Sequence, residues 1–248
     1  MKLCLAMMIQ NERHWLECHL PTILHGAAID GIVALDGGSD DASASTLEVL
    51  VNGRYPLQIG VRRFAWDFGA QANALVELAE TLGYDALIRL DPDEAVFPAI
   101  FQHVKDQLTP DVPGLCFPRF NFIYDRLHYE LGSKYPDHQF RAWWLHRGVR
   151  YTNAVHEMPV NPQNYHTWHK CWDHIYHYAL VAPNDARLFL KCHNYNLLAQ
   201  GQAPLTELPA GFVVPQGFAD HPATRFPYSQ PISPLEVGLH APFEEVLS

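Results

Sequence analysis

An apolar run that stops abruptly in carboxylates is the feature that most constrains how this chain folds. Its apolar residues are Leu87, Ile88 and Leu90, and it is followed at once by Asp91-Pro92-Asp93-Glu94, which we call the acidic loop. A buried strand that ends at the mouth of a sheet has this pattern, because carboxylates do not belong in the core of a strand. Pro92 has no N–H and restricts Asp91 to extended geometry, so the loop is stiff. The stretch therefore predicts a buried strand that presents two aspartates close together.

The paired aspartates have the chemistry of a divalent-cation site. Mg²⁺ and Mn²⁺ take oxygen ligands, usually one or two carboxylates from the protein and the remainder from water and substrate phosphates. For an isolated Asp-x-Asp pair, a solvated acidic turn is the better explanation. The segments that precede the acidic loop favour the cation site instead, because they place further polar groups at the same edge of the predicted sheet.

Strands and helices alternate along the first part of the chain. Strand 3–9 ends in Gln10-Asn11-Glu12, where Asn11 is expected to cap the next helix, and strand 29–35 ends in Asp36-Gly37-Gly38-Ser39. Such alternation with short connections predicts a parallel sheet whose carboxyl ends meet at one edge. The strand ends near Gln10, Asp36 and Asp91 are therefore expected to form one site. The elements predicted up to the acidic loop are strands 3–9, 29–35, 58–63 and 86–90 and helices 12–24, 42–51 and 70–82.

The pattern is looser after the acidic loop. We predict a helix over 98–108, a strand over 114–124, a substrate-facing strand or loop over 135–146 and a helix over 183–199. The rest of the chain, 202–248, is rich in proline and lacks periodicity, which indicates an irregular extension. The predicted organisation is a domain over 1–201 followed by the extension. The family resemblance described below divides this domain into a nucleotide-binding half (1–95) and an acceptor or catalytic half (96–201).

Composition and residue spacing disfavour several classes of protein. The net charge of −10 argues against a surface for nucleic acid or anionic membrane, because both require clustered Lys and Arg. The five cysteines are scattered and form no C-x-x-C, so a reducing cytoplasm fits better than a disulfide framework. The apolar run 3–9 is too short to span a membrane. The pairs His166-x-x-His169 and His174-x-x-His177 raise the alternative of a zinc site, which the lack of a helical period around them disfavours.

Together these motifs resemble family 2 glycosyltransferases, which have the GT-A nucleotide-diphospho-sugar transferase fold. The likeness covers about residues 1–180. Its later motifs are most similar to the bacterial and phage branch that resembles lipopolysaccharide-core and peptide glucosyltransferases. One difference is Ala72-Asn73, where that branch commonly has an Arg-Asn pair. The likeness depends on Asn11-Glu12, the DGGSDD loop with Asp36 and Ser39, the segment from Trp66-Asp67-Phe68 to Asn73, the acidic loop, Tyr135-Pro136-Asp137-x-Gln139-x-Arg141, Val155-His156-Glu157 and His177.

The resemblance implies a Rossmann-like α/β fold, with a mostly parallel central sheet flanked by helices, and a metal-dependent inverting hexosyltransferase. Its cofactors are Mn²⁺ or Mg²⁺ and a nucleotide-sugar donor, with a UDP-sugar such as UDP-glucose favoured. Its acceptor is a glycan, a lipid-linked sugar, a peptide or, less favoured, a modified DNA base. The implied metal ligands are Asp91, Asp93 and His177, the last with a diphosphate contact as an alternative role. The implied donor contacts are Gln10, Asn11, Glu12, Asp36, Gly38, Ser39, Trp66, Asp67, Asn73, Asp91 and Arg141.

The predicted catalytic residues are Glu157 and Asp93. A general base must take the proton of the acceptor hydroxyl, and a carboxylate is the ordinary group for this task. Glu157 occupies the position of the family's catalytic acidic residue, and Glu94 is the competitor. For Arg141, an ion pair with Asp137 or Glu157 is as good an explanation as a contact with the donor diphosphate or the acceptor.

Two other functions remain open from the sequence. A sugar-nucleotide nucleotidyltransferase shares the sheet and the acidic loop, but it usually has a basic glycine-rich loop where this chain has Gln10-Asn11-Glu12-Arg13. The other is a non-catalytic module that binds a sugar nucleotide or a glycan, which the intact Asp91/Asp93 pair together with Glu157 and His177 disfavours. Turnover with a panel of nucleotide sugars separates both alternatives from a glycosyltransferase.

Overall fold

The structure of the protein is a computed structural model. It describes residues 1–123, 128–129, 137–155, 157–160, 168–181, 190, 194, 197–198, 200–205, 207 and 230–231. These residues form two units. The first contains Met1–Pro118 and His138–Ile175, and the second contains the described parts of Arg119–Asp137 and Tyr176–His240. The predicted division at residue 201 stays a prediction.

The first unit begins with the predicted alternation of strands and helices. The described strands of the chain are β1 (Leu3–Ile9), β2 (Gly31–Asp36), β3 (Leu57–Val61), β4 (Ala86–Arg89), β5 (Glu94–Ala95), β6 (Gly114–Ile123), β7 (His128–Tyr129), β8 (Asp137–Trp144), β9 (Arg150–Thr152), β10 (Met158–Val160), β11 (His169–Lys170), β12 (Ile175–Leu180) and β13 (Gln230–Pro231). The helices are α1 (Arg13–Ile23), α2 (Ser43–Val51), α3 (Phe68–Thr81) and α4 (Ala99–Gln107), with a short 3₁₀ turn at Leu145–Arg147.

The sheet of the first unit has the strand order β8-β4-β1-β2-β3. The strands β1, β2, β3 and β4 are parallel, and β8 is antiparallel to β4. In this register Ile9 pairs with Asp36, and Asp36 pairs with Val61. The carboxyl ends of the parallel strands therefore lie along one edge, as the sequence predicted. The α/β fold class with a mostly parallel central sheet flanked by helices is confirmed.

Both faces of this sheet are buried, which explains why its central strands are continuous apolar runs. Side chains alternate along β1: Leu3 and Leu5 pack with residues of α1, α2 and α4, whereas Cys4 and Ala6 pack with residues of α3. Leu3, Cys4, Leu5 and Ala6 are all fully buried. The core therefore holds the strand ends, and the loops that follow them, on a rigid frame.

Helix α3 lies close to the β9 segment of the first unit. The amide of Asn73 donates to Tyr151 O at 2.9 Å and its oxygen accepts from Tyr151 N at 2.7 Å, while Phe68 N donates to Ala154 O at 2.9 Å. Gly69 permits the close approach, because a Cβ there would lie 2.5 Å from Asn153 O. These contacts fix the strand that leads to Glu157.

Replacing Gly69 with alanine is expected to destabilise the protein by about 1–3 kcal/mol, because a backbone carbonyl must move to admit the methyl group. Alanine otherwise stabilises a helix by roughly 0.5–1 kcal/mol relative to glycine, so the clash must overcome that gain. Urea unfolding measures the difference, and Ala74→Gly in the same helix gives an upper bound on the helix-propensity contribution, because Ala74 also packs against the core. A Gly69→Ala variant as stable as the wild type would contradict the contact.

The second unit contains the distal part of β6 with β7 and β13. Phe122 pairs with Tyr129, which pairs with Gln230, and both pairings are antiparallel. Rings of this unit pack together: Phe120 lies 5.6 Å from Tyr176 and Phe122 lies 4.8 Å from Tyr178, both in stacked geometry.

Some sequence predictions fall outside the described residues. These are Tyr135, Pro136, His156, His166, most of the helix predicted over 183–199 and most of the extension 202–248. Within the described part of the chain, no helix has both the length and the apolar character needed to cross a membrane.

Candidate active site

The acidic loop is fixed by two buried arginines. Arg89, the last residue of β4, donates to Asp91 Oδ1 at 3.2 Å, and Arg141 of β8 donates to Asp91 Oδ2 at 3.3 Å. Arg141 also donates to Glu94 Oε1 at 2.5 Å, and Glu94 Oε2 accepts from Asp91 N at 3.0 Å. Asp91 and Glu94 are therefore held in defined orientations before any ligand binds.

Both arginines remain charged inside the protein. Burial lowers the pKa of Arg89, but the carboxylates of Asp91 and Glu157 outweigh it and hold that pKa well above its usual range. Burial likewise opposes the charge of Arg141, and Glu94 and Asp91 raise its pKa beyond the usual value. Two fixed positive charges therefore lie directly behind the carboxylates of the loop.

Glu157 belongs to the same cluster. Its Oε1 accepts from Arg89 Nη2 at 2.8 Å, and its side chain is 16% exposed, whereas that of Glu94 is 0% exposed. From the sequence, Asp137 and Glu157 were possible ion-pair partners of Arg141. In the described residues, Arg141 instead pairs with Asp91 and Glu94. Sequence reasoning did not identify Arg89. The signal was present, since an arginine interrupts an otherwise apolar strand.

A residue of α1, His19, contacts the main chain in the middle of the acidic loop. His19, which is 1% exposed, lies with Nδ1 3.0 Å from Pro92 O, and its ring stacks on Trp15 at 5.3 Å. Asp93 follows Pro92 and is 7% exposed. Sequence reasoning also missed His19, because a histidine on the apolar side of a helix gives no sign of the distant backbone that it binds.

The ends of β1 and β2 form a second polar cluster. Asp36 Oδ1 accepts hydrogen bonds from Gly38 N, Ser39 N and Ser39 Oγ at 3.0, 2.9 and 2.8 Å. Ser39 Oγ in turn accepts from Asn11 N at 3.0 Å. The structure thus brings together Asp36, Gly38, Ser39 and Asn11. Their role as the donor contacts that the resemblance implies stays a prediction.

The prediction that Asn11 caps α1 is wrong. The residue at the N-cap is Glu12, whose N–H donates to Ser43 Oγ at 2.7 Å. Asn11 has a φ of 56°, and its Oδ1 accepts from Asp40 N at 2.9 Å. Its amide therefore joins the two strand-end loops instead of the helix, because the positive φ turns the chain away from capping geometry.

Aromatic side chains lie beside this cluster at the end of β3. Phe64 lies 5.5 Å from Trp66 and 4.7 Å from Phe68, measured between ring centroids. A Cβ on Gly37 would lie 3.0 Å from Phe64 Cβ and 3.2 Å from Gln10 Cβ, so these two residues flank the loop after β2. Trp66 has a φ of 61°, an uncommon value for a bulky residue and one that is often found at functional sites.

Two of the predicted donor contacts have structural partners. Asp67 is the N-cap of α3 and accepts from Ala70 N at 2.8 Å. Asn73 bonds the main chain of Tyr151 through both ends of its amide. These contacts explain why both residue types occur there, and a donor role for either stays a prediction.

His177 belongs to the second unit. Its Nδ1 lies 2.9 Å from Asn121 Oδ1, and Asn121 Nδ2 donates to Asp137 Oδ2 at 3.3 Å. Among the described residues, no group of three or more His, Cys, Asp or Glu side chains is arranged to hold a metal ion. The predicted ligand set of Asp91, Asp93 and His177 therefore stays a prediction.

Comparison with known proteins gives a distant likeness of fold. No protein-family model and no curated protein sequence matches the chain. Among solved structures, it is similar to S. aureus TarS 1-349 in complex with UDP-GlcNAc, with 10% identity over 62% of this chain and 50% of that chain and a TM-score of 0.44. For S. aureus TarS 1-349 alone, the identity is 10% over 84% of this chain and 67% of that chain, with a TM-score of 0.46.

A further match is glucosyl-3-phosphoglycerate synthase from Mycobacterium tuberculosis in complex with Mg²⁺ and UDP, with 13% identity, a TM-score of 0.38 and coverage of 48% of this chain. The protein spans 43% of that chain. The likeness to these structures concerns the fold alone and is too distant to assign an activity.

Proposed function

We propose that this protein is a metal-dependent inverting glycosyltransferase that moves a hexose from a UDP-sugar to an acceptor hydroxyl or similar nucleophile. The observation that carries the proposal is the cluster around the acidic loop. There, Arg89 and Arg141 orient Asp91, Glu94 and Glu157 behind the carboxyl edge of a parallel sheet. Ligands of open α/β sheets bind at this edge.

The charges of the cluster fit a divalent cation. The acidic loop and Glu157 contribute the carboxylates of Asp91, Asp93, Glu94 and Glu157, and the two buried arginines offset part of this negative charge. The remaining negative charge has the sign and the oxygen donors that Mn²⁺ or Mg²⁺ requires. Asp93 and Asp91, whose side chain is 28% exposed, would hold the cation. When bound, it stabilises the negative charge that develops on the departing nucleoside diphosphate.

The protein's own residues supply the remaining steps. Glu157 takes the proton of the attacking hydroxyl, and the exposure of its side chain supports this role over the enclosed Glu94. His177 is proposed as a further contact to the cation or the diphosphate. Arg141 contributes to donor binding by orienting Asp91 and Glu94, with which it forms ion pairs. The groups proposed to bind the base, ribose and sugar of the donor are Gln10, Asn11, Glu12, Asp36, Gly38, Ser39, Trp66, Asp67 and Asn73.

The setting of the enzyme is also a proposal. Four cysteines are free and buried in the described residues, which supports a reducing, cytoplasmic location. The order of the sequence motifs supports the bacterial and phage branch of family 2. The acceptor is a glycan, a lipid-linked sugar, a peptide or, less favoured, a modified DNA base.

Isothermal titration of UDP with and without Mn²⁺ tests the donor site. We expect binding to require Mn²⁺ and to be weakened about tenfold or more in Asp93→Asn, because a carboxylate ligand of the cation is lost. The matched control is Asp106→Asn, at an exposed aspartate of α4 that bonds Gln102. The proposal fails if the folded wild type binds no UDP, or if neither Mn²⁺ nor Asp93→Asn changes the affinity.

A further inference from the structure

Arg89 connects two parts of the proposed active site through a single nitrogen atom. Its Nη2 lies 3.2 Å from Asp91 Oδ1 and 2.8 Å from Glu157 Oε1. The side chain is 3% exposed, so these carboxylates take the place of water around its charge. One guanidinium therefore joins the proposed cation and donor loop to the proposed general base.

The guanidinium of Arg89 is held by an aromatic ring as well. Its central carbon lies 4.9 Å from the ring centroid of Tyr151, within the range of a cation–π contact. Burial raises the pKa of the Tyr151 phenol, so the ring stays neutral. Asn73 fixes the main chain of Tyr151 from α3. The position of Arg89 is therefore set by the fold as well as by its ion pairs.

Asp91 and Glu157 share the positive charge of the same nitrogen. Arg89 therefore sets the position of Glu157 relative to the acidic loop. We propose that Arg89 is a positioning residue that holds Glu157 in its working orientation. The inference rests on the glycosyltransferase function proposed above.

A double-mutant cycle between Arg89→Lys and Glu157→Gln tests whether Arg89 acts on turnover through Glu157. Lysine keeps the charge, but it replaces the planar guanidinium with a compact ammonium on a flexible stem, so neither the position of Nη2 nor the contact with the Tyr151 ring is preserved. The assay measures UDP release from UDP-glucose with Mn²⁺ and water as the acceptor. In this reaction the water oxygen bonds to the anomeric carbon, the bond from that carbon to UDP breaks, and the water proton passes to Glu157.

We expect Arg89→Lys to lower turnover about 10- to 100-fold while the affinity for UDP with Mn²⁺ changes less than about threefold. In the Glu157→Gln background the same substitution is expected to cost less than about threefold, because the residue that Arg89 positions is already lost. Arg150→Lys is the control, since Arg150 pairs with Glu80 at a more exposed site. Tyr151→Leu, which removes the ring beneath Arg89, is a second variant with the same expected dependence on Glu157.

Equal losses of turnover in the two backgrounds overturn the inference while leaving the glycosyltransferase proposal intact. A loss of UDP affinity in Arg89→Lys that matches the loss of turnover also overturns it, since Arg89 would then act on binding. A wild type that binds no UDP overturns both proposals together.

Discussion

Replacing Arg141 with methionine is expected to lower the free energy of unfolding by about 3–5 kcal/mol. The substitution leaves Glu94, whose side chain is 0% exposed, and Asp91 without one of the charges that compensates their burial. Methionine fills a similar volume, so the cost comes mainly from the uncompensated carboxylates and less from a cavity. Urea unfolding monitored by circular dichroism measures the change.

The control for this substitution is Arg150→Met. Arg150 bonds Glu80 through two nitrogens, at 3.0 and 2.8 Å, but both side chains are substantially exposed. An ion pair of this kind contributes about 0–1 kcal/mol. Similar costs for the two variants would show that the Arg141 cluster is not buried as described. Adding Glu94→Gln to Arg141→Met is expected to recover part of the lost stability, because it removes one unpaired charge.

The sequence predicted the four parallel strands because each has a simple physical signature. A strand covered on both faces must be apolar throughout, as Leu3–Ile9 is, and the polar residues that follow it must lie at the sheet edge. Helical spacing and short connections then determine the order of elements. The meeting of Asp36 with Asn11 and Ser39 follows from the same rule.

The proximity of Arg89 and Arg141 behind the acidic loop could not be predicted from local sequence, because it depends on which strands pair. In the antiparallel pairing of β4 and β8, Ile88 lies opposite Ala142. The next residue of β4, Arg89, therefore lies beside Arg141 of β8. No local pattern around residues 135–146 reveals which strand β8 will pair with. Two like charges at neighbouring positions are unfavourable in a buried sheet. The carboxylates of Asp91, Glu94 and Glu157 compensate them only in the folded protein.

The positive φ angles of Asn11 and Trp66 could not be predicted from the sequence either. Asn11 and Trp66 both adopt the left-handed region, and both follow strands whose carboxyl ends form the site edge. Local propensity opposes this geometry for tryptophan, so the surrounding structure must impose it. The wrong prediction of a cap at Asn11 has this cause.

Glu157→Gln is expected to lower turnover of UDP-glucose by about 10²–10⁴-fold, the usual contribution of a general base. Glutamine has nearly the same shape and still accepts a hydrogen bond from Arg89, but it cannot take a proton from the acceptor. Affinity for UDP in the presence of Mn²⁺ is expected to change far less than turnover. Steady-state release of UDP and isothermal titration on the same preparations measure the two effects.

Glu94→Gln and Glu80→Gln complete this experiment. Glu94 is the competing candidate for the base, but it is enclosed and bonded to Arg141, so its substitution is expected to cost stability more than it costs turnover. Glu80 pairs with Arg150 outside the cluster, and Glu80→Gln is expected to leave turnover unchanged. If a stably folded Glu94→Gln loses turnover while Glu157→Gln keeps it, the proton is taken by Glu94 and the assignment of the base is reversed.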